Sequence, residues 1–138
     1  MTTNASIRSA IEARLRTWAQ AQTPAIPVAW QNVSFAKPEG RYLRANMLPA
    51  PGLSNYVEGG DHLRAGLYQI DVCVPQGAGP GAADAIIAAL EAQFESGLRL
   101  TAGSGQVLVT EPLSALPAQN EQTHYVVPCR FEYRLHAT

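Results

Sequence analysis

The chain has few of the residue types that cross-link small proteins or that bind strongly charged partners. Only two of its 138 residues are cysteine, Cys73 and Cys129, and they form no C-x-x-C motif. Acidic and basic residues nearly balance, with a net charge of −1, and lysine occurs once, at Lys37. This balance argues against a protein that binds nucleic acid or a membrane surface through its overall field.

Long apolar runs are absent as well. No stretch approaches the roughly 18 consecutive apolar residues of a membrane span. The first four residues lead into a charged amphipathic segment and not into the apolar run of a secretory signal. We therefore expect a cytoplasmic protein in which Cys73 and Cys129 are buried free thiols, with a structural disulfide as the alternative.

The central stretch, residues 64–100, changes its apolar period from two to about 3.6. Apolar side chains alternate with polar ones from Tyr68 to Val74, which indicates a half-buried strand. After a Gly/Pro-rich connector, apolar residues recur on one face of a helix expected at residues 81–96, with Gly97 as its C-terminal cap. This strand and this helix are expected to form the centre of the core.

Periodic segments on both sides complete the order α-β-β-β-α-β-β-β within a single domain, residues 1–138. The first helix is expected to start near Asn4, and either Thr3 or Asn4 can cap its free amides. The other strands are expected at residues 27–35, 41–48, 98–101, 106–110 and 125–135, with a loop at 111–122. Because most links are short, the order predicts an α+β fold: a mainly antiparallel sheet with two helices packed on one face. Pro128 in the last strand predicts an edge position or a bulge.

Two surfaces have the composition of contact sites. The long irregular segment at residues 49–61 carries Leu53, Tyr56 and Val57, which an isolated domain gains little by exposing, so we expect it to order against a partner subunit. A merely flexible loop is the alternative.

The outer face of the last strand carries charged side chains that meet either water or a charged partner. These are Arg130, Glu132 and Arg134.

The connector from Gly77 to Gly81 follows a strand, opens a helix and matches a permissive dinucleotide-binding fingerprint. Three features argue against that interpretation. Asp84 in the first helical turn repels a phosphate, the next strand ends without an acidic residue for a ribose, and the surrounding strands suggest an antiparallel sheet. A small domain that binds a ligand or nucleotide through this connector is the alternative function.

No arrangement of residues indicates catalysis or a cofactor. Among the histidines His62, His124 and His136, only His62 has a neighbouring ligand type, in the pair Asp61-His62, and two ligands make a poor metal site. No serine lies in a nucleophile elbow, and the position of Cys73 inside a strand indicates burial. We expect neither an enzyme nor a bound cofactor.

The pattern of the whole chain resembles small tail-terminator proteins of long-tailed phages and prophages. The similar segments include residues 7–15, 27–33, 42–44, 59–62, 66–72, 77–83 and 125–133. The resemblance implies a structural protein that closes the tail tube as a ring, usually of six copies, contacts the tail tube protein and a head-completion or connector protein, and ends in the virion tail after assembly in the host cytoplasm. It supplies no catalytic residues and implies no membrane and no specific nucleic-acid partner.

Within such a ring we expect subunit contacts from the long segment and from the outer strand face, because a ring joins different patches of one chain. The expected interface residues are Leu53, Tyr56, Val57, Asp61, His62, Arg130, Glu132 and Arg134.

Overall fold

A computed structural model describes residues 3–50 and 64–136. Two helices and seven strands follow in the order α1 (Asn4–Gln20), β1 (Val28–Ala29), β2 (Tyr42–Pro49), β3 (Ala65–Pro75), α2 (Gly81–Gln93), β4 (Arg99–Ala102), β5 (Gly105–Ala115), β6 (Gln119–Glu121) and β7 (His124–His136). Neither helix of the described part is long and apolar enough to span a bilayer.

The strands form one sheet in the order β1-β2-β3-β7-β5-β4, with β6 paired to β7 beyond the end of β5. All pairs are antiparallel except β1 with β2. The buried residues of both helices belong to the same apolar cluster as one face of the sheet. The predicted α+β fold, a mostly antiparallel sheet with both helices on one face, is therefore confirmed.

Helix α1 forms where the sequence predicts it, and Thr3 is the residue that caps it. The Thr3 hydroxyl accepts a hydrogen bond from the Ser6 amide at 3.1 Å, which satisfies one of the free amides of the first turn. The buried side of α1 consists of Ile7, Ile11, Leu15 and Ala19. Arg14 Nε donates to the carbonyl of Gln93 at 2.8 Å, so the two helices are joined at the C-terminal end of α2.

Aromatic rings join α2 to the centre of the sheet. The Phe131 ring stacks on Phe94 with a centroid distance of 4.7 Å and on Tyr68 at 5.6 Å. Beside them, a Cβ on Gly66 would lie 2.6 Å from the Tyr133 hydroxyl and from the Leu48 carbonyl oxygen, so only glycine fits there without a shift. The alternating positions of the longest strands thus fill the core as their period predicts.

The predicted first strand at 27–35 is wrong over most of its length. Only Val28 and Ala29 pair, in parallel with β2. The chain then turns at Trp30, whose carbonyl accepts from the Val33 amide at 3.1 Å, and Asn32 has φ +57. Beyond Ala29, the side chain of Gln31, and not a strand, contacts the edge of β2.

The predicted loop at 111–122 is also wrong. Strand β5 continues to Ala115, with register shifts between Val109 and Glu111 and between Glu111 and Ser114 that accommodate Pro112. Strand β6 then adds a fourth strand after α2, so the order is α-β-β-β-α-β-β-β-β. For Pro128 the expected edge position is wrong, but the expected irregularity is present, because residues 116–118 lie opposite only Val127 and Pro128. Pro128 lies in the central strand β7, and the Leu116 amide, in the link between β5 and β6, donates to its carbonyl at 2.8 Å.

The remaining boundaries agree to within a few residues. Helix α2 ends at Gln93, three residues before the predicted end, and Gly97 has the expected positive φ of +92. Phe94, the first residue past the helix, is nevertheless fully buried. The hairpin of β4 and β5 turns at Gly103 and Ser104, and both cysteines are buried free thiols, as predicted.

Candidate interaction surface

The face of the sheet opposite the helices divides into two halves along the strands. We define the covered half by the apolar cluster near the start of β2: Phe35, Tyr42, Cys73 and Val126. We define the open half by the residues nearer the end of β2, which are at least partly exposed: Leu48, Leu67, Arg130, Glu132 and Arg134. Cross-strand register places Leu48, Leu67 and Glu132 in one row of this face.

The covered half is a small second core. The ring of Tyr42 packs against Phe35 at 5.5 Å and edge-on against His124 at 5.1 Å. His124 is 1% exposed, and its Nε2 donates to the Gly40 carbonyl at 2.9 Å. Burial raises the pKa of Tyr42 to about 12 and the pKa of the Cys73 thiol to about 11, so neither group is charged at neutral pH. This environment suits a structural thiol and not a reactive one.

A chain of polar side chains runs from the covered half to the open half. Arg44 donates from Nη1 and Nη2 to the two carboxylate oxygens of Glu121, both at 3.0 Å. Its Nε donates to Asp71 Oδ2 at 3.1 Å. The side chain of Asp71 is only 8% exposed and needs this cation, because a buried carboxylate without a partner is costly. Arg44 is therefore the centre of the chain.

The chain continues through an amide to a residue of the predicted interface. Gln69 Nε2 donates to Asp71 Oδ1 at 2.7 Å, and Arg130 Nε donates to Gln69 Oε1 at 2.8 Å. Asp71 thus uses one oxygen for Arg44 and the other for Gln69. Arg130 is oriented by this contact, while the residue remains exposed on the open half.

The sequence predicts the exposure of Arg130 but not its connection to Arg44, Asp71 and Glu121. Arg44 and Asp71 are directly opposite each other in β2 and β3, so they share a face. Alternation in the two strands supplied that signal, since both residues occupy polar positions of predicted strands. Glu121 carried no signal because its strand was interpreted as a loop.

The contact between Arg44 and Glu121 predicts a pH dependence of stability. The hydrogen bonds from Arg44 lower the pKa of Glu121. The contribution of ionised Glu121 to the free energy of unfolding is therefore fully present above the pKa of about 4.3 that it has in the unfolded chain. This contribution disappears as the pH falls through the lower pKa of the folded state. Because Glu121 is 39% exposed, we expect Glu121→Gln to reduce the free energy of unfolding by at most about 1 kcal/mol at neutral pH. Urea unfolding of the wild type and of Glu121→Gln at pH 7 and near pH 3 should show this difference shrinking in acid, and an equal difference at both pH values would contradict the role of the contact.

The open half carries both charge and exposed apolar surface. Leu48 is 41% exposed, one of two large apolar side chains of the described residues with such exposure. Arg130, Glu132 and Arg134 are exposed as predicted, and Glu132 lies opposite Glu111 of β5. Two glutamates in a cross-strand pair repel each other, so this row favours a neighbouring cation. The Ala50 amide donates to the Ala65 carbonyl at 2.9 Å, so the segment 51–63 begins and ends beside this half.

The other predicted interface residues, Leu53, Tyr56, Val57, Asp61 and His62, lie outside the described residues. Their proposed role stays a prediction.

The outer edge of β2 offers little to a further strand. The Leu43 amide donates to the Pro27 carbonyl at 2.9 Å, and the Met47 amide donates to Gln31 Oε1 at 2.9 Å. Pro49, the last residue of β2, has no amide hydrogen. Natural sheets block edges in this way, so another chain is expected to meet a face and not this edge.

The connector between β3 and α2 lacks the topology of a dinucleotide site. Strand β4, which follows α2, runs antiparallel to β3 and is separated from it by β7 and β5. A dinucleotide-binding unit needs two parallel strands joined by the helix. Gly77 and Gly79 have φ of +94 and +81, as a tight turn requires. Within the ranges 3–50 and 64–136, no group of three His, Cys, Asp or Glu side chains is placed to hold a metal ion.

Comparison with known proteins gives a match over nearly the whole chain. Residues 6–133 match a family model described as phage tail terminator protein. A solved structure is similar to this chain, with a TM-score of 0.84 and 36% sequence identity. That similarity covers 99% of this chain and 97% of the other. No curated protein matches.

Proposed function

Because this chain belongs to the phage tail terminator family, a family of structural proteins, we propose that it closes the end of the tail tube as a ring of identical copies. The match over residues 6–133 is the observation that carries the proposal, since it spans every helix and strand of the described residues except the first two residues of α1 and the last three of β7. Six copies is the number that the family resemblance implies. The same ring would present one side to the tail tube protein and the other to a head-completion or connector protein.

The described residues support a role in assembly more than a role in chemistry. The most deeply buried carboxylate among them, Asp71, is held by Arg44 and Gln69, and the two thiols have raised pKa values, about 11 at Cys73 and about 12 at Cys129, because both are buried. The open half instead places exposed Leu48 and partly exposed Leu67 side by side among charged residues, and we propose that a neighbouring copy covers this apolar pair. We therefore propose a non-enzymatic protein that acts without a cofactor, in the host cytoplasm during assembly and afterwards in the virion tail.

Copies in a closed ring touch through two different patches of the chain. We propose that one patch includes the open half, with Arg130, Glu132 and Arg134, and that the adjoining segment contributes Leu53, Tyr56, Val57, Asp61 and His62. The hydrogen bond between Ala50 and Ala65 supports this, since these residues flank the segment in sequence and Ala65 pairs with Arg134 of the open half.

Light scattering coupled to size exclusion tests the proposal with the purified full chain. We expect a discrete oligomer, or a monomer that converts to one as its concentration rises. A strict monomer whose melting temperature rises with nucleotides would instead support the ligand-binding alternative at Gly77–Gly81, because a ligand stabilises the state that it binds.

A paired substitution tests the contribution of the long segment. We expect Tyr56→Ala with Val57→Ser to weaken self-association by about tenfold or more, which is the size of effect of losing buried aromatic and apolar contacts at an interface. The melting temperature of the monomer should barely change. An equal loss of assembly and of monomer stability would show that these residues belong to the core. The matched control is Val33→Ser, which changes an exposed apolar side chain.

A further inference from the structure

We propose that helix α2 of one copy docks on the open half of a second copy, so that these are the two different patches joined in head-to-tail contact. The inference rests on the proposed ring and specifies its contact. It follows from the unpartnered outer surface of α2 and from the match of that surface to the open half in charge, shape and spacing.

The outer surface of α2 combines a ridge of alanines with an acidic flank. Ala85, Ala88 and Ala92 are exposed along the ridge. Asp84 and Glu91 lie on one flank, followed by Glu95 just beyond the helix, and all three are exposed. No ion pair within the described residues involves them, and α2 contains no lysine or arginine. A cationic surface with room for a helix would complement this flank.

The opposite flank of α2 borders an apolar groove. The groove has a volume of about 420 Å³ and is lined largely by apolar side chains, among them Trp18, Val74, Pro75, Ala82, Ala85 and Ala89. Because alanines form one wall, the backbone of α2 stays accessible from this side. The groove has room for a branched aliphatic side chain from a neighbour.

The open half offers the two complementary features. Leu48 on β2 is a protruding aliphatic side chain, and Arg130 and Arg134 on β7 are exposed cations. Strand β3 lies between β2 and β7, so Leu48 stands two strand spacings, about 10 Å, across the sheet from Glu132, with Arg130 and Arg134 two residues to either side of that row. An α-helix with its side chains is about 10–12 Å wide. A helix lying along the open half would therefore meet Leu48 on one flank and the arginines on the other.

The spacing along the contact also agrees. Arg130 and Arg134 are four strand residues apart, about 13 Å. Asp84 and Glu91 are seven helix residues apart, about 10.5 Å. The difference is within the reach of an arginine side chain. Glu132 lies between the two arginines, so a helix that sets Asp84 and Glu91 against them places neither acid directly over Glu132.

A second copy of this chain is the partner that these features fit. The open half and α2 lie on opposite sides of the two-layer domain, so no single copy can join them. Contact between unlike patches is the kind that closes a ring. Helix α1 is a poorer match, because its charged side chains are Arg8, Arg14 and Arg16 with a single acid, Glu12, and repel the arginines of the open half.

Charge exchange tests the contact in the full chain by sedimentation velocity at low and high salt. We expect Glu91→Arg and Arg134→Glu each to weaken self-association at least about tenfold, since each places like charges together. An equimolar mixture of the two variants should recover assembly, because each supplies the surface that the other lacks. The double variant should recover it as well. Glu39→Arg, on the exposed turn before β2, is the matched control for a reversed surface charge, and the melting temperatures of the monomers should agree.

The outcomes separate this contact from the proposed function. If wild type forms a ring and both single variants form it equally well, the ring stands and the contact is refuted. If only Arg134→Glu fails and the mixture does not recover, the open half meets something other than α2, which also refutes the contact. A wild type that stays monomeric under every condition and on tail tubes refutes the ring itself.

Discussion

Replacing Arg44 by alanine is expected to lower the free energy of unfolding by about 3–5 kcal/mol, the usual cost of leaving a buried charge without its partner. Arg44 is the cation in contact with Asp71, whose side chain is 8% exposed, and it also binds Glu121 through two parallel hydrogen bonds. Without it, Asp71 retains only the hydrogen bond from Gln69 at 2.7 Å. Chemical denaturation at neutral pH measures the difference.

A double variant separates the charge from the packing. Arg44→Leu with Asp71→Leu removes both charges, so it should recover most of the stability lost in Arg44→Ala. Arg134→Ala, an exposed arginine on the same face, should change stability by no more than about 0.5 kcal/mol. If Arg44→Ala costs as little as this control, Asp71 does not depend on Arg44 and the polar chain is not a structural element.

Phe131→Ala is expected to cost about 3–5 kcal/mol, the range found when a buried phenylalanine is truncated in a close-packed core. Phe131 is 1% exposed and lies between the rings of Phe94 and Tyr68. It therefore joins the residue that follows α2 to the centre of the sheet. Its loss leaves a cavity at the junction of the two layers, and the neighbouring rings, themselves fixed by packing, fill it only in part.

Thermal and urea unfolding of Phe131→Ala should show this loss with an unchanged oligomeric state at low temperature. Val33→Ala is the matched control, since Val33 is 58% exposed. A cost below about 1 kcal/mol for Phe131→Ala would contradict the packing described here, because so small a value is typical of surface substitutions.

The period of the apolar residues was sufficient to predict the fold where the elements are long. Strands β3 and β7 and both helices have clear periods of two or 3.6, and each was placed to within about three residues. Their one-sided burial is also why the two-layer arrangement was predictable. The sheet order was not, because pairing of β7 between β3 and β5 depends on contacts distant in sequence.

The errors share a physical cause: local composition was overridden by pairing with a long neighbour. Pro112 and Pro117 suggested a loop, yet β7 is long enough to pair with β5 past two register shifts and then with β6. Pro128 suggested an edge, yet its missing amide hydrogen faces the irregular link between β5 and β6. The error at residues 27–35 has the opposite cause. This apolar segment pairs with no strand after Ala29, and the chain turns at Trp30 instead of continuing as a strand.

The candidate surface was predictable in part. Alternation placed Arg130, Glu132 and Arg134 on the outer face, and the structure confirms their exposure. The connection from Arg130 through Gln69 and Asp71 to Arg44 depends on the register of β2, β3 and β7, which sequence spacing does not reveal. The apolar stripe of α2 predicts which side of the helix is buried, but it does not reveal a partner for the exposed acidic flank.

Imaging of tail tubes tests the proposed role most directly. Tails would be purified from a phage or prophage that encodes this chain, with the gene intact, deleted, or restored from a plasmid, and examined by electron microscopy. We expect the intact and restored tails to end in a ring of copies of this chain at the head-proximal end, and the deletion to give tubes without that ring that fail to join heads. Tails that end normally and join heads without the chain would contradict the proposed function.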